Sequence, residues 1–320
     1  MRSAAPHLLV LASCLALTAC GPRTDPPASD ARPTSSDGPR FLPLAAYDMP
    51  EGDVRTVGRA RWTLAKECMA RLGFDSLANL ATDPVPAWPE RPATAGVATA
   101  DIYMSDDARY GIQDPGQAAR YGYEGSRADY ERRYPKRKWT LAEYLALTGE
   151  FVGDEPKTVH GHRIPERGSL GEADRAIYGT SPEERRDPVL ELESKSLRLG
   201  MRDPAWKRAD KAWSACMRKA GFHYATPGDA WTGRDRDREE LERRPTGERT
   251  DPDEPSALDR KTATADVRCK QRTGYIKAVH AVDVRIQKRL VTENRTELEE
   301  QSHWNRGAVH KAREVLEEWS

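Results

Sequence analysis

No proline interrupts the chain from Ala257 to its C-terminus, and along that stretch Tyr275, Val279, Val282, Ile286 and Leu290 recur at alternating spacings of four and three. That period belongs to one face of an α-helix and fits no strand. Ala308, Ala312, Val315 and Trp319 continue the stripe, with an interruption expected at Asn305 to Gly307, so the stretch reads as two helices or one bent one.

All 23 prolines lie before this stretch, where proline and glycine punctuate shorter helices. Residues 53–72 place Trp62, Ala65, Met69 and Leu72 on one face, with Gly73 where a left-handed cap belongs. Residues 75–100 read as loop or short pieces, and residues 109–123 as a short helix between turns. Leu141 to Leu147 is a further short helix, stopped at Gly149. Ser181-Pro182, Asp187-Pro188 and Asp203-Pro204 read as helix starts, because Ser or Asp caps orphan amides and proline is tolerated at the first helical position. The second of these opens a helix expected to end at Gly200. The third opens the clearest amphipathic helix of the chain, with Trp206, Ala209, Trp213, Cys216, Met217 and Ala220 on one face. Strand signals are nearly absent, and the expected fold is all-α: an irregular helical bundle with Pro/Gly-rich loops and a long C-terminal helix.

Charge narrows the function classes. Among 320 residues, 51 Lys plus Arg balance 51 Asp plus Glu, so the chain lacks the field on which a nucleic-acid binder depends. Between Arg234 and Arg244 the run alternates in sign and offers a phosphate no net field; it reads as a solvated helix or loop.

The N-terminus carries the sharpest functional signal. Arg2 is followed by an apolar run from Leu8 to Leu17, too short to span a bilayer and of the length of a signal-peptide core. The run ends in Leu17-Thr18-Ala19-Cys20-Gly21, which resembles the lipobox of bacterial lipoproteins. The resemblance implies cleavage before Cys20 and lipid, such as palmitate, on its sulfur. Residues 1–19 are then the signal peptide, and 20–40, with five prolines, a tether whose reach is roughly 25 Å as a flexible coil. Residues 41–320 form the α-helical body, with lobes expected at 41–180 and 181–320. The expected location is the extracytoplasmic face of the cell membrane, held there by acyl chains.

Cys68-Met69-Ala70-Arg71-Leu72-Gly73-Phe74 is echoed by Cys216-Met217-Arg218-Lys219-Ala220-Gly221-Phe222. With these elements stand Arg109-Tyr110-Gly111, Ala119-Arg120-Tyr121-Gly122-Tyr123, Gly168-Ser169-Leu170-Gly171-Glu172-Ala173 and Val267-Arg268-Cys269. Together they resemble a family of uncharacterised secreted lipoproteins of high-GC Gram-positive bacteria, which implies a helical extracytoplasmic protein with paired cysteines and no established activity. Once Cys14 leaves with the signal and Cys20 is lipidated, three thiols remain in an oxidising compartment, and one is left over. The resemblance pairs the regions of Cys216 and Cys269, and a helix ending near 220 could pack on the one through 269. Closing that loop stabilises by roughly 4 kcal/mol in the chain-entropy view. In the resembling family a cysteine tends to stand where this chain has Ser169, which leaves Cys68 as the free, buried thiol.

Other constellations are weak. His160-Gly161-His162 places two imidazoles on one side of an extended segment, yet no third ligand is assured and no metal or cofactor is expected. Glu293, Glu297 and Glu300 lie at helical spacing and read as a hydrated face. Trp206 and Trp213 read as core, whereas Trp304 and Trp319 are candidate partner contacts. GxSxG, HExxH, a phosphate-binding glycine loop and CxxC are all missing, and no catalytic residue is assigned. The expected role is a non-enzymatic binding or accessory subunit of an envelope assembly, meeting the membrane through Cys20 and a partner through the C-terminal helix. A cell-wall-modifying hydrolase is the alternative.

Overall fold

Asp187 and Asp203 each turn a carboxylate onto the first amides of a proline-started helix: Asp187 accepts from Val189 and Leu190, and Asp203 accepts from Ala205 at 2.7 Å. Thr140 with Glu143 and Thr226 with Asp229 close reciprocal capping boxes, and Ser256 accepts from the Asp259 amide. These local devices recur through an all-α fold. The structure is a computed structural model that describes residues 42–86, 88–89, 91–92, 109–123, 137–180, 184–233 and 255–319. Cys20, the tether, Ser181-Pro182 and the Arg234 to Arg244 run lie outside the described residues.

Ten α-helices are seen among the described residues: α1 Glu51–Arg71, α2 Pro115–Tyr121, α3 Leu141–Thr148, α4 Gly168–Tyr178, α5 Pro188–Arg202, α6 Pro204–Lys219, α7 Pro227–Thr232, α8 Ala257–Thr273, α9 Tyr275–Glu293 and α10 Arg295–Glu318. Two 3-10 turns, Pro43–Tyr47 and Asp75–Leu77, and one two-stranded hairpin, β1 Thr158–Val159 with β2 His162–Arg163, complete them.

One apolar cluster lies between α1, α3 and α4, around Trp62, Met69, Leu147 and Leu170. A larger one gathers α2 and α5 to α9 around Trp213, Met217, Val267, Val279 and Leu290, and it takes in Leu44 and Tyr110 from upstream. Leu44, Tyr110, Ala118 and Tyr123 thus share a cluster with residues of α5 to α9. The last helix joins the larger cluster to a third. Leu298 of α10 sits in the larger cluster, while Ala308, Val309, Ala312 and Val315 are buried against Val57 and Ala60 of α1 and Ile177 of α4. The start of α1 is tied to the end of α10 by Arg313 and Asp53 at 3.1 Å.

Within the larger cluster the walls are polar as well as apolar. Asp283 of α9 is fully buried; Arg109 forks onto both its oxygens, Nε at 2.9 Å, and the Tyr110 hydroxyl donates to it at 2.8 Å. Arg109 also donates to Ser196 of α5 at 3.1 Å. On α8, Asp266 accepts from Trp213 Nε1 and from Lys270, both at 2.9 Å, and Lys270 reaches back to the Ile112 carbonyl. Asp259 accepts the Tyr123 amide at 2.9 Å. Both Tyr-Gly pairs are explained by these charges. Gly111 and Gly122 have φ of +69° and +62°, and an added Cβ would stand 2.9 Å from Lys270 Nζ or 1.4 Å from Asp259 Oδ2.

Two expected boundaries move. The C-terminal stretch is cut at Gly274 and Asn294 rather than at Asn305 to Gly307, because Asn294 leaves helical geometry and its side chain donates to the Leu290 carbonyl at 2.7 Å. Gly307 continues inside α10. Gly200 likewise does not stop α5, which runs on to Arg202; a Cβ there would meet the Trp206 ring at 2.8 Å, so its role is packing.

These two kinds of glycine give opposite expectations. Nothing lies within 4 Å of a Cβ at Gly307, so Gly307→Ala is expected to stabilise by about 0.5–1 kcal/mol. Gly122→Ala is expected to destabilise by about 3 kcal/mol, since it must displace a buried carboxylate. Urea unfolding of the two variants checks both signs.

Candidate functional site

The echoed heptapeptides are one device used twice. The Phe74 amide donates to the Met69 carbonyl at 2.9 Å and Gly73 to Ala70 at 2.9 Å; the Phe222 amide donates to Met217 at 3.0 Å and Gly221 to Arg218 at 3.1 Å. Both are Schellman endings, which need a left-handed residue after the helix, and Gly73 and Gly221 have φ of +84° and +88°. Met69 and Met217 are fully buried below them.

The cysteine that opens each heptapeptide faces a neighbouring helix. Cys216 is bonded to Cys269 of α8, with Cα atoms 5.6 Å apart. Cys68 is a free, buried thiol. Its hydroxyl neighbour across the α1–α4 contact is Ser169, which donates to the Ala146 carbonyl at 3.1 Å. The thiol itself donates to Glu172 at 3.7 Å, and Arg71 pairs with the same carboxylate. Burial pushes the Cys68 thiol above its ordinary pKa, an effect opposed by Ser169, so little reactive thiolate forms there.

His160 and Gly161 are the two turn residues of the β1–β2 hairpin, with φ of +48° and +82°, so the first imidazole sits on a tight turn while His162 opens strand β2. Nδ1 of His160 donates to the Leu72 carbonyl at 3.0 Å, and its ring packs on Phe74 at 4.8 Å, so the hairpin tip seals the end of α1. His162 is exposed. Among the described residues no three His, Cys, Asp or Glu side chains are grouped to hold a metal ion.

The expected acidic face is divided by the break at Asn294. Glu293 ends α9 and pairs with Arg289 at 3.6 Å, Glu297 begins α10 and pairs with Arg186 at 3.3 Å, and Glu300 is exposed. Trp206 and Trp213 are core. Trp304 is taken up internally, stacked on Tyr178 at 4.7 Å with the Arg185 guanidinium 4.7 Å above it. Trp319 is 54% exposed.

The surface feature that sequence reasoning missed is a groove of about 570 Å³ along α5, opposite the α9–α10 elbow. At one end Arg186 lies between Glu191 and Glu297; farther along the helix stand Lys195 and Arg198, which have no carboxylate partner among the described residues. Arg186 holds the Glu191 carboxyl below the usual range. Leu190 is 52% exposed on the wall, and the Asn294 break forms the other side. The one signal that could have found it is an exposed leucine on the polar side of an amphipathic helix. The far face of the same helix turns Glu193 inward, where burial and then Asp48 push its carboxyl up to about 7, with Arg109 opposing.

Two expectations follow from this chemistry. Ser169→Cys is expected to bond to Cys68 and raise the unfolding free energy by up to about 5 kcal/mol, since the loop closed is roughly 100 residues. Alkylation and peptide mapping check it; a variant that keeps two titratable thiols would refute it. For Glu193, the folded carboxyl keeps its proton up to about pH 7 while the unfolded one releases it near 4.5, so folding binds a proton in that window. Its contribution to stability is complete below 4.5 and is lost as pH rises through about 7. The urea midpoint of Glu193→Gln is therefore expected to fall less than that of the parent between about pH 5 and about pH 8. Compared with known proteins, the chain matches no family model, no curated protein and no solved structure.

Proposed function

We propose that the protein is a lipid-anchored extracytoplasmic protein that acts as a non-enzymatic binding or accessory subunit of an envelope assembly. The observation that carries the binding role is the groove along α5, whose volume lies in the range of ligand sites and whose cations Lys195 and Arg198 face solvent without partners among the described residues. The anchor is supported by the short apolar run ending in Leu17-Thr18-Ala19-Cys20. Among the described residues no helix is long and apolar enough to cross a membrane. A partner reaching α10 would meet its charged outer side and Trp319, because the apolar stripe of that helix is covered by α1 and α4.

Cys20→Ala is expected to leave an uncleaved, unlipidated precursor that still carries residues 1–19. Metabolic labelling with a palmitate analogue and intact mass of the purified protein check this. Crosslinking of the native protein in its membrane, followed by mass spectrometry, is expected to recover a stoichiometric envelope partner. Turnover of wall fragments by the purified body would replace the binding role with hydrolysis.

A further inference from the structure

The α5 groove is bipolar. Its Arg186 end holds one guanidinium against two carboxylates, Glu191 and Glu297, and therefore keeps a net negative charge. Its other end holds Lys195 and Arg198, one helical turn apart on the same face, and is net positive. Along a helix rising 1.5 Å per residue, Glu191 and Arg198 are separated by about 10 Å. An extended peptide advances about 3.3–3.6 Å per residue, so three residues set a free ammonium and a free carboxylate about 10 Å apart. At the acidic end, beside Glu191, the wall is apolar where Leu190 is exposed near Pro188. A solvent-facing leucine beside the acidic end suits an aliphatic side chain near the ammonium of a zwitterionic backbone better than it suits a simple anion.

We propose that the α5 groove binds a short peptide of about three residues by its two free ends, the carboxylate at Lys195 and Arg198 and the ammonium at Glu191 and Glu297. This rests on the reading of the protein as a binding protein and names its ligand class. All four charged contacts are solvent-exposed, so each is weak and screened by salt. Affinity in the high micromolar to millimolar range follows, falling as ionic strength rises.

The test is a titration of the full chain with Ala-Leu-Ala, its N-acetyl form, its C-terminal amide and sodium acetate, followed by calorimetry and by NMR shifts. One peptide is expected to bind per chain, with affinity falling at least fivefold when either terminus is blocked. Lys195→Glu combined with Arg198→Glu is expected to abolish binding of Ala-Leu-Ala while leaving the circular dichroism spectrum unchanged, because both side chains are on the surface. Glu191→Gln combined with Glu297→Gln is expected to erase the difference between the free and acetylated peptides. Equal binding of all three peptides, or acetate competing as well as the peptide does, would overturn the proposal. Failure of every peptide to bind, alongside a stoichiometric membrane partner in crosslinking, would remove the peptide assignment and leave the binding-protein reading in place.

Discussion

The fork of Arg109 onto Asp283 joins three stretches that the chain keeps far apart: the 109–123 segment, α5 through Ser196, and α9. Asp283 is fully buried and Arg109 mostly so, and removing the arginine would strand the carboxylate at a cost of about 3–5 kcal/mol. An apolar replacement of both would hold the elements together about as well, so the value of the pair lies in placement. Asp283 finds Arg109, Tyr110 and Ser196 in a single rotational setting of α9. With α9 set, Gln287 one turn on is aligned to accept the Leu44 amide, and Leu290 fills the core beneath the elbow. The groove exists because that elbow lies where it does.

What was legible in the chain is what is local. Asp187-Pro188 and Asp203-Pro204 announce helices since a cap and its amides are neighbours, and the stripe from Tyr275 to Leu290 is legible because packing obeys its period. Gly200 and Gly307 mislead as breakers for a different reason in each case: one accommodates the Trp206 ring, and the other stands in open space where glycine costs a continuous helix only about 1 kcal/mol. Asn294 was silent because Asn ends helices only when its side chain turns back, which the residue type does not dictate. The groove was illegible for a deeper reason. Its walls come from α5 and from an elbow roughly a hundred residues later, and no pattern within either segment says that they will face each other.

The twin helix endings show how one short motif meets two fates. In both places a buried methionine and a left-handed glycine fold a phenylalanine back, and the cysteine one residue earlier looks outward to a neighbour. Opposite Cys216 that neighbour is Cys269, and the result is a covalent link. Opposite Cys68 it is Ser169, and packing with a hydrogen bond holds α1 to α4 instead. The link between the first helix and its neighbours is therefore non-covalent, made of burial and of the ion pairs from Asp53, Arg61 and Arg71.

The covering of α1 by α10 bears on how the chain is made. Val57 and Ala60 find part of their burial on Ala308, Ala312 and Val315, so the first helix emerging from a ribosome or a translocation pore waits for the last. At synthesis rates of about 5–20 residues per second that interval is on the order of 10–50 s. During it, the leading end of the stripe, at Val57 and Ala60, stays open to water and to other chains. A nascent molecule of this kind gains from a holding factor that shields its leading helix, and one stalled or clipped short of Ala308 never closes its own seam.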